Sequence, residues 1–199
     1  MGVSTADTLF FSGMEEINHR EVIRTLGLPC FVKPNNGGSS VGISRVDQPA
    51  DLSGAIHKAF QEDSEIVIEQ YIPGIELTCG MIRSRGQLVV FPLTKIISRN
   101  AFFDYEAKYT DGLAEEITPA PVDDDLKNRC QDLSRFLYQQ LNCRGIVRFD
   151  YIVNGPDLYF LEVNTIPGLT PNSIVPKMAK TMGLSLTELY TMVIDEALR

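Results

Sequence analysis

Hydrophobic and polar positions repeat along this chain with two periods, and the switches between them lay out its elements. Over 15–27, Ile17, Val22, Ile23 and Leu26 supply an apolar stripe and Gly27 a stop, which predicts a short helix. "PCFVKP" reads as a strand closed by Pro34, "NNGGSS" (35–40) as a loop, and "VGISRV" (41–46) as a returning strand. A helix over Leu52–Glu62 precedes the strand "EIVIEQY" (65–71), whose Val67, Glu69 and Tyr71 share a face. "IPGIE" (72–76) is a turn and the predicted domain boundary, dividing 1–74 from 75–199. Strands follow in "ELTCGMI" and "LVVFPLTKII", and the polar stretch "SRNAFFDYEAKYTDGLAEE" is too long for a mere connection. An acidic first turn opens an amphipathic helix over 122–142. "GIVRFDYIV" and "LYFLEVN" flank "NGPD", a hairpin signal, and helices over about 173–182 and 186–198 finish the chain. The pattern is α+β, with mainly antiparallel sheets and helices packed against them.

The second hairpin strand departs from its own pattern. Leu158, Phe160 and Leu161 suit a core, yet Glu162 and Asn164 follow on a shared face, just before Pro167-Gly168. A turn centred near Gly155–Pro156 sets Asp150 opposite or nearly opposite Leu161–Glu162. The register that buries Phe149, Tyr151 and Val153 then gathers Arg148, Asp150, Glu162 and Asn164 on the other face. Three oxygen donors without His or Cys suit Mg²⁺ completed by phosphate and water. A solvated sheet face with one Arg–carboxylate pair fits this hairpin equally well.

Three further stretches carry chemistry. In "NNGGSSVG", glycines let backbone N–H groups approach phosphate oxygens, and Lys33 stands just ahead as a point charge. The Walker spacing is absent, and on this loop alone a plain flexible hairpin is the stronger reading. "FFDYEAKYTDG" sets aromatic rings beside acids, Lys108 and Tyr109, which suits a purine face or a lid that excludes water. A loop anchored by Phe102 and Phe103, with Lys108 solvated, explains it as simply. "EQYIPGIE" offers strand-edge backbone groups for a purine and Glu76 for ribose hydroxyls, although a strand and turn need no ligand.

Composition acts mainly by exclusion. The 199 residues suit one domain or two small ones, and a net charge of -8 argues against a general nucleic-acid surface. Cys30, Cys79, Cys130 and Cys143 are scattered, as in a reduced cytosolic protein. No apolar run is long enough to span a bilayer, and "MGVSTADTLFF" lacks the layout of a signal peptide, so a soluble cytoplasmic protein is expected. The Met-Gly start has Ala6 where a myristoylation site needs Ser or Thr. His19 and His57 read as surface residues, and neither a Ser-His-Asp arrangement nor H-E-x-x-H is available. Met178, Met182 and Met192 fall at helical spacing and read as core.

In order, "GLPCFVKPNNGGSSVGISRV", "IEQYIPGIELTCG", "FFDYEAKYTDG", "CRGIVRFDYIV" and "LEVNTIPGLTPNSIVPKM" resemble the D-alanine–D-alanine ligases of the ATP-grasp superfamily, from Gly27 to the C-terminus. The resemblance implies two α+β subdomains with a nucleotide site between them. It assigns Lys33 and Lys108 to ATP phosphates, and Ser39, Ser40 and Gly42 to the loop that folds over them. Glu69, Gln70 and Ile72 would frame the adenine, Glu76 the ribose, and Phe102 would also belong to the ATP-binding set. Asp150, Glu162 and Asn164 would hold Mg²⁺ or Mn²⁺, two ions in all. Arg148 and the Gly168 N–H would stabilise charge on the acyl centre, Ser173 would engage the second D-alanine carboxylate, and Tyr109 and Ser39 would complete the catalytic set.

The implied reaction is ATP-dependent joining of two D-alanines through an acyl phosphate, for peptidoglycan precursors, without a covalent protein nucleophile. The implied partners are ATP and D-alanine, with no nucleic acid or membrane, in a full-length homodimer. Family members also carry an N-terminal domain that adds an acidic residue near the first D-alanine. Here the motifs begin at Lys33 and 1–26 resemble the middle of the central domain, so a C-terminal fragment with little activity alone is expected. Another ATP-grasp carboxylate–amine ligase and a non-catalytic ATP-binding protein are the rival readings.

Overall fold

The computed structural model describes residues 2–13, 17–38, 40–98 and 114–198. The chain divides into one unit of Thr5–Pro73 with Ser98–Glu115, and another of Met1–Ser4, Gly74–Ile97 and Glu116–Arg199. The α+β arrangement is the one expected.

In the Thr5–Pro73 unit, β1 (Thr8–Ser12), β2 (Cys30–Pro34), β3 (Ser44–Val46) and β4 (Glu65–Gln70) form a sheet ordered β1-β4-β2-β3. Its three strand pairs are all antiparallel. Alternation along β2 and β4 aims Cys30, Val32, Ile66 and Ile68 at α1 (His19–Leu26) and α2 (Leu52–Glu62). Val22 and Leu26 from α1 and Leu52, Ile56 and Ala59 from α2 complete that core. Each fully buried branched aliphatic there contributes about 1.5–3 kcal/mol. Asn18 caps α1 by accepting from the Glu21 N–H. Part of the helix expected over 15–27 lies outside the described residues.

Two differences from the expected elements matter. The strand expected over 41–46 shrinks to Ser44–Val46, because Ser40 and Gly42 have φ of 60° and 76° and cannot continue a ladder. The unexpected β1 pairs with β4 through Thr8↔Glu69 to Ser12↔Glu65. Its Thr8, Phe10 and Ser12 are exposed, so no apolar alternation announces it.

The other unit holds a six-stranded sheet, apart from that sheet's residues Ser98, Ala114 and Glu115. Its strands are β5 (Ile75–Ser84), β6 (Gln87–Val90), β7 (Thr94–Ser98), β8 (Ala114–Ile117), β9 (Ile146–Asn154) and β10 (Asp157–Asn164). The order is β10-β9-β5-β7-β8, with β6 also on β5. The expected "LVVFPLTKII" strand divides into β6 and β7 around Pro92, which lacks an N–H for the ladder. On one face, α3 (Asp124–Gln140) packs Cys130, Leu133, Leu137 and Tyr138 against Leu77, Cys79, Met81, Phe149 and Tyr151. Ser134 Oγ donates to the Cys130 carbonyl and lies 2.8 Å from the Tyr151 hydroxyl, so both buried hydroxyls are satisfied.

Helices α4 (Ile174–Thr181) and α5 (Leu186–Ala197) follow. Gly80 lets α4 approach β5: a Cβ there would stand 2.9 Å from Met178 Sδ and 3.4 Å from Val175 Cγ2. A reciprocal capping box between Ser185 and Glu188 starts α5. Met178 is fully buried as expected, whereas Met192 is half-buried and Met182, at the end of α4, is 46% exposed. No helix among the described residues is long and apolar enough to cross a membrane.

Candidate functional site

A one-residue bulge in β10 decides which face carries the polar residues. Asp157 pairs with Asn154 and Phe160 with Tyr151, but Glu162, not Leu161, pairs with Asp150, and Asn164 with Arg148. In an unbroken strand Leu158, Phe160, Glu162 and Asn164 would share one face. The shift between Phe160 and Glu162 reverses that parity. Leu158, Phe160 and Val163 therefore pack with the core, and Glu162 and Asn164 join Asp150 and Arg148 on the other side. Leu161, expected in the core, is the extra residue and is 40% exposed.

Asp150 sits at the centre of this face and is 5% exposed. Its Oδ1 accepts from Thr78 Oγ1 at 2.6 Å and Arg148 Nε at 2.8 Å. Its Oδ2 accepts from Arg148 Nη2 at 2.7 Å and Asn164 Nδ2 at 3.0 Å. The same Asn164 nitrogen lies 3.2 Å from Glu162 Oε1. Burial works against the Arg148 charge, but the bidentate Asp150 bonds outweigh it. With Glu162 and Glu76 adding their charge, the guanidinium is held above its ordinary value. Glu76 shares this face through the alternation of β5, opposite Ile152 and Ile96.

The donor set suits a hard divalent cation in kind: two carboxylates and an amide, with no nitrogen or sulfur ligand. No group of three or more His, Cys, Asp and Glu among the described residues could hold a metal by itself. Turning the Asn164 amide about its terminal bond replaces Nδ2 with Oδ1 beside both carboxylates, and the residues then fit such an ion. Thr78, absent from the expected set, is buried in this cluster alongside Asp150. Its signal was period two: Glu76, Thr78 and Gly80 lie on one face of β5.

The turn after β10 carries the other expected residues of this unit. A Cβ on Gly168 would lie 2.8 Å from Ser173 Oγ, so only glycine leaves that hydroxyl its place. Ser173 is the N-cap of α4, yet its side chain makes no capping bond; its Oγ lies 2.8 Å from Thr170 Oγ1. The Tyr190 hydroxyl of α5 donates to the Leu169 carbonyl at 2.5 Å and holds the turn.

In the Thr5–Pro73 unit, Lys33 and Glu69 project from the face opposite the helices and form an ion pair at 2.5 Å. Gly42 is enclosed: a Cβ would come 2.7 Å from both Pro34 Cγ and Glu62 Cγ. The loop's start is tied down by Asp63, which accepts from the Asn36 backbone N–H at 2.6 Å and Asn36 Nδ2 at 3.0 Å. The Asn36 backbone bond chiefly lowers the Asp63 carboxyl below its ordinary value. The strand-edge reading of "EQYIPGIE" is narrowed at Gln70. β1 makes β4 interior, and the Gln70 N–H already donates to the Asp7 carbonyl at 2.9 Å. Ile72 lies beyond the ladder, half-buried. Ser39, Phe102, Lys108 and Tyr109 lie outside the described residues. A groove of about 390 Å³ between β3 and α2 holds none of the expected residues; its Lys58 already donates to the Ile43 carbonyl and its Arg45 to Asp47.

Comparison with known proteins gives this arrangement its context. The family model described as D-ala D-ala ligase C-terminus matches residues 1–195. A D-alanine–D-alanine ligase of Flavobacterium johnsoniae is 44% identical over 197 residues, 99% of this chain and 61% of that protein. The crystal structure of a D-alanine–D-alanine ligase from Bacillus anthracis matches with a TM-score of 0.84 at 37% identity, covering 99% of this chain and 63% of that one. A structure of such a ligase from the same organism complexed with ATP matches with a TM-score of 0.81 at 32% identity, covering 99% and 61%. The chain thus spans about 60% of the length of the curated relatives it matches. Its fold is the ATP-grasp fold expected from the motifs. This chain belongs to the D-alanine–D-alanine ligase family, in its C-terminal part.

Proposed function

We propose that this chain serves the ATP-dependent joining of two D-alanines for peptidoglycan precursors. The observation that carries the reading is the Asp150 cluster, a polar face held by Arg148, Thr78 and Asn164 in a chain of this family. The γ-phosphoryl group passes from ATP to the carboxylate of the first D-alanine, releasing ADP. The amine of the second attacks the acyl carbon, an amine proton is lost, and phosphate leaves as the C–N bond forms.

Lys33 and Lys108 bind phosphate oxygens, with Ser39, Ser40 and Gly42 in the covering loop. Glu69, Gln70 and Ile72 frame the base, Glu76 binds the ribose, and Phe102 belongs to the same nucleotide site. For Gln70 this role falls to its side chain or carbonyl, since its N–H is engaged. Asp150, Glu162 and Asn164 hold Mg²⁺, which neutralises phosphate charge when bound. Arg148 and the Gly168 N–H stabilise the negative charge that develops at the acyl centre, Tyr109 closes over it, and Ser173 orients the second carboxylate. The boundary at 74–75 separates the loop-bearing segment from the metal- and acyl-binding one.

Calorimetry with MgATP tests the binding half, and Glu162→Gln should abolish its magnesium dependence. Joining this chain to the N-terminal portion of the Flavobacterium johnsoniae relative should give D-alanine-dependent ADP release and D-alanyl-D-alanine. Release driven instead by another amino acid would overturn the substrate assignment, and nucleotide binding without any ligation would overturn the enzymatic one.

A further inference from the structure

A row of directly paired residues crosses the larger sheet. Glu162 faces Asp150, Asp150 faces Thr78, and Thr78 faces Thr94. Thr78 is 1% exposed and Thr94 fully buried. Thr94 Oγ1 lies 2.5 Å from Thr118 Oγ1, whereas Thr78 Oγ1 donates to Asp150 Oδ1 at 2.6 Å. Valine has the same shape, suits a strand as well, and carries no hydroxyl to desolvate, so packing alone does not account for threonine here.

The hydroxyl does something Arg148 does not. The guanidinium fork takes one bond to each Asp150 oxygen, which sets where the carboxylate sits. Two parallel bonds hold the carboxylate edge but leave it free to hinge about the line through its two oxygens. The bond from Thr78 reaches Oδ1 from the β5 side and opposes that hinging, while Oδ2 stands beside Asn164 on the β10 side.

We infer that Thr78 is a positioning residue that holds Asp150 in the orientation in which Oδ2 serves the cation. The inference rests on the cation reading above and adds a residue to it. Carboxylate ligands held by such outer hydrogen bonds typically lose 10- to 100-fold in metal affinity when the bond is removed.

The test uses the whole chain and its nucleotide affinity by calorimetry, with Mn²⁺ and, separately, with EDTA. Thr78→Val should weaken MnATP binding about tenfold, with ATP affinity in EDTA unchanged. Thr78→Ser, which keeps the donor, should restore the manganese-dependent part. Thr78→Ala removes the same donor without a second methyl and replaces valine should that variant fail to fold. Wild-type MnATP affinity in the donorless variant would overturn the role, as would equal weakening with and without Mn²⁺. Glu162→Gln runs in parallel: manganese dependence surviving that change would sink the cation reading and the role of Thr78 with it. Loss in Glu162→Gln without loss in Thr78→Val would sink the positioning role alone.

Discussion

Replacing Arg148 by methionine isolates what holds the centre of the polar face. The change keeps most of the aliphatic stem and removes two charge-assisted bonds, at 2.8 and 2.7 Å, from Asp150. Bonds of this kind contribute about 1.5–3 kcal/mol each. The side chains are only 15% and 7% exposed, so water screens the pair little. Asp150 then remains buried with Thr78 and Asn164 as its donors, and a buried charge stripped of its partner costs about 3–5 kcal/mol. Because two donors survive, the lower end applies, and Arg148→Met should destabilise this unit by about 3 kcal/mol. Asp150→Leu should cost a similar amount by removing both short bonds of the guanidinium and leaving only the Glu162 and Glu76 charges to offset it. The double variant removes both charges and should lose less than the sum of the singles, by about 2–3 kcal/mol of coupling. The chain has no tryptophan, so urea unfolding is best followed through tyrosine, since Tyr138 and Tyr151 are buried in this unit. Losses that add within about 0.5 kcal/mol, or an Arg148→Met cost below about 1 kcal/mol, would refute the assignment of the pair as the unit's buried electrostatic anchor.

Three other perturbations probe separate parts of the fold. A Cβ on Gly74 would stand 2.1 Å from the Val153 carbonyl oxygen, which is backbone and cannot swing away. Gly74→Ala should therefore cost more than about 3 kcal/mol in thermal unfolding, while Gly54→Ala in α2, with open space around it, should gain about 0.5–1 kcal/mol. The lowered Asp63 carboxyl stabilises the start of the glycine-rich loop above its unfolded value of about 3.9. That stabilisation disappears as pH falls through the lower folded value, so the Asn36 amide resonance should shift only below about pH 4; Asp63→Asn should expose that amide to fast exchange at neutral pH. Burial pushes the Cys79 thiol up to about 12 and Cys130 well above its ordinary value, and Cys30 is also fully buried. N-Ethylmaleimide should therefore label half-buried Cys143 first in the native chain, as peptide mass spectrometry would read. Labelling of Cys79 before unfolding would contradict the packing under α3.

Much of the fold was legible because its periods are clean. Helix α3 announces itself by an acidic first turn and a long apolar stripe, and β9 and β10 by the turn between them. β1 was not legible, since only half-buried Leu9 and Phe11 mark its inner side and Phe10 is 54% exposed. Missing one strand changed a functional expectation. With β1 paired outside it, β4 has no free edge, and the Gln70 N–H is spent on Asp7, so strand-edge donors for a purine are left only beyond β4. Topology thus limits site chemistry wherever backbone groups are the proposed ligands.

The polar cluster reverses that relation. Period two places Glu162 and Asn164 together, but the same period places Leu158 and Phe160 with them. No regular strand can both bury the first pair in the α3 core and show the second to the opposite face. That conflict was visible in the residues, and its only resolution within one hairpin is an extra residue between them. Leu161 takes that place, but as one apolar residue in an apolar run it bears no compositional mark. Thr78 was concealed in the same way, because a threonine in a strand needs no explanation until its partner is known. Once the bulge puts Glu162 opposite Asp150, the pairing of Asp150 with Thr78 follows from β5 alone. The cluster therefore rests on one irregularity in one strand. Its oxygens converge because Leu161 is surplus to the ladder, and a strand without that surplus would turn Glu162 toward Phe149 and the core.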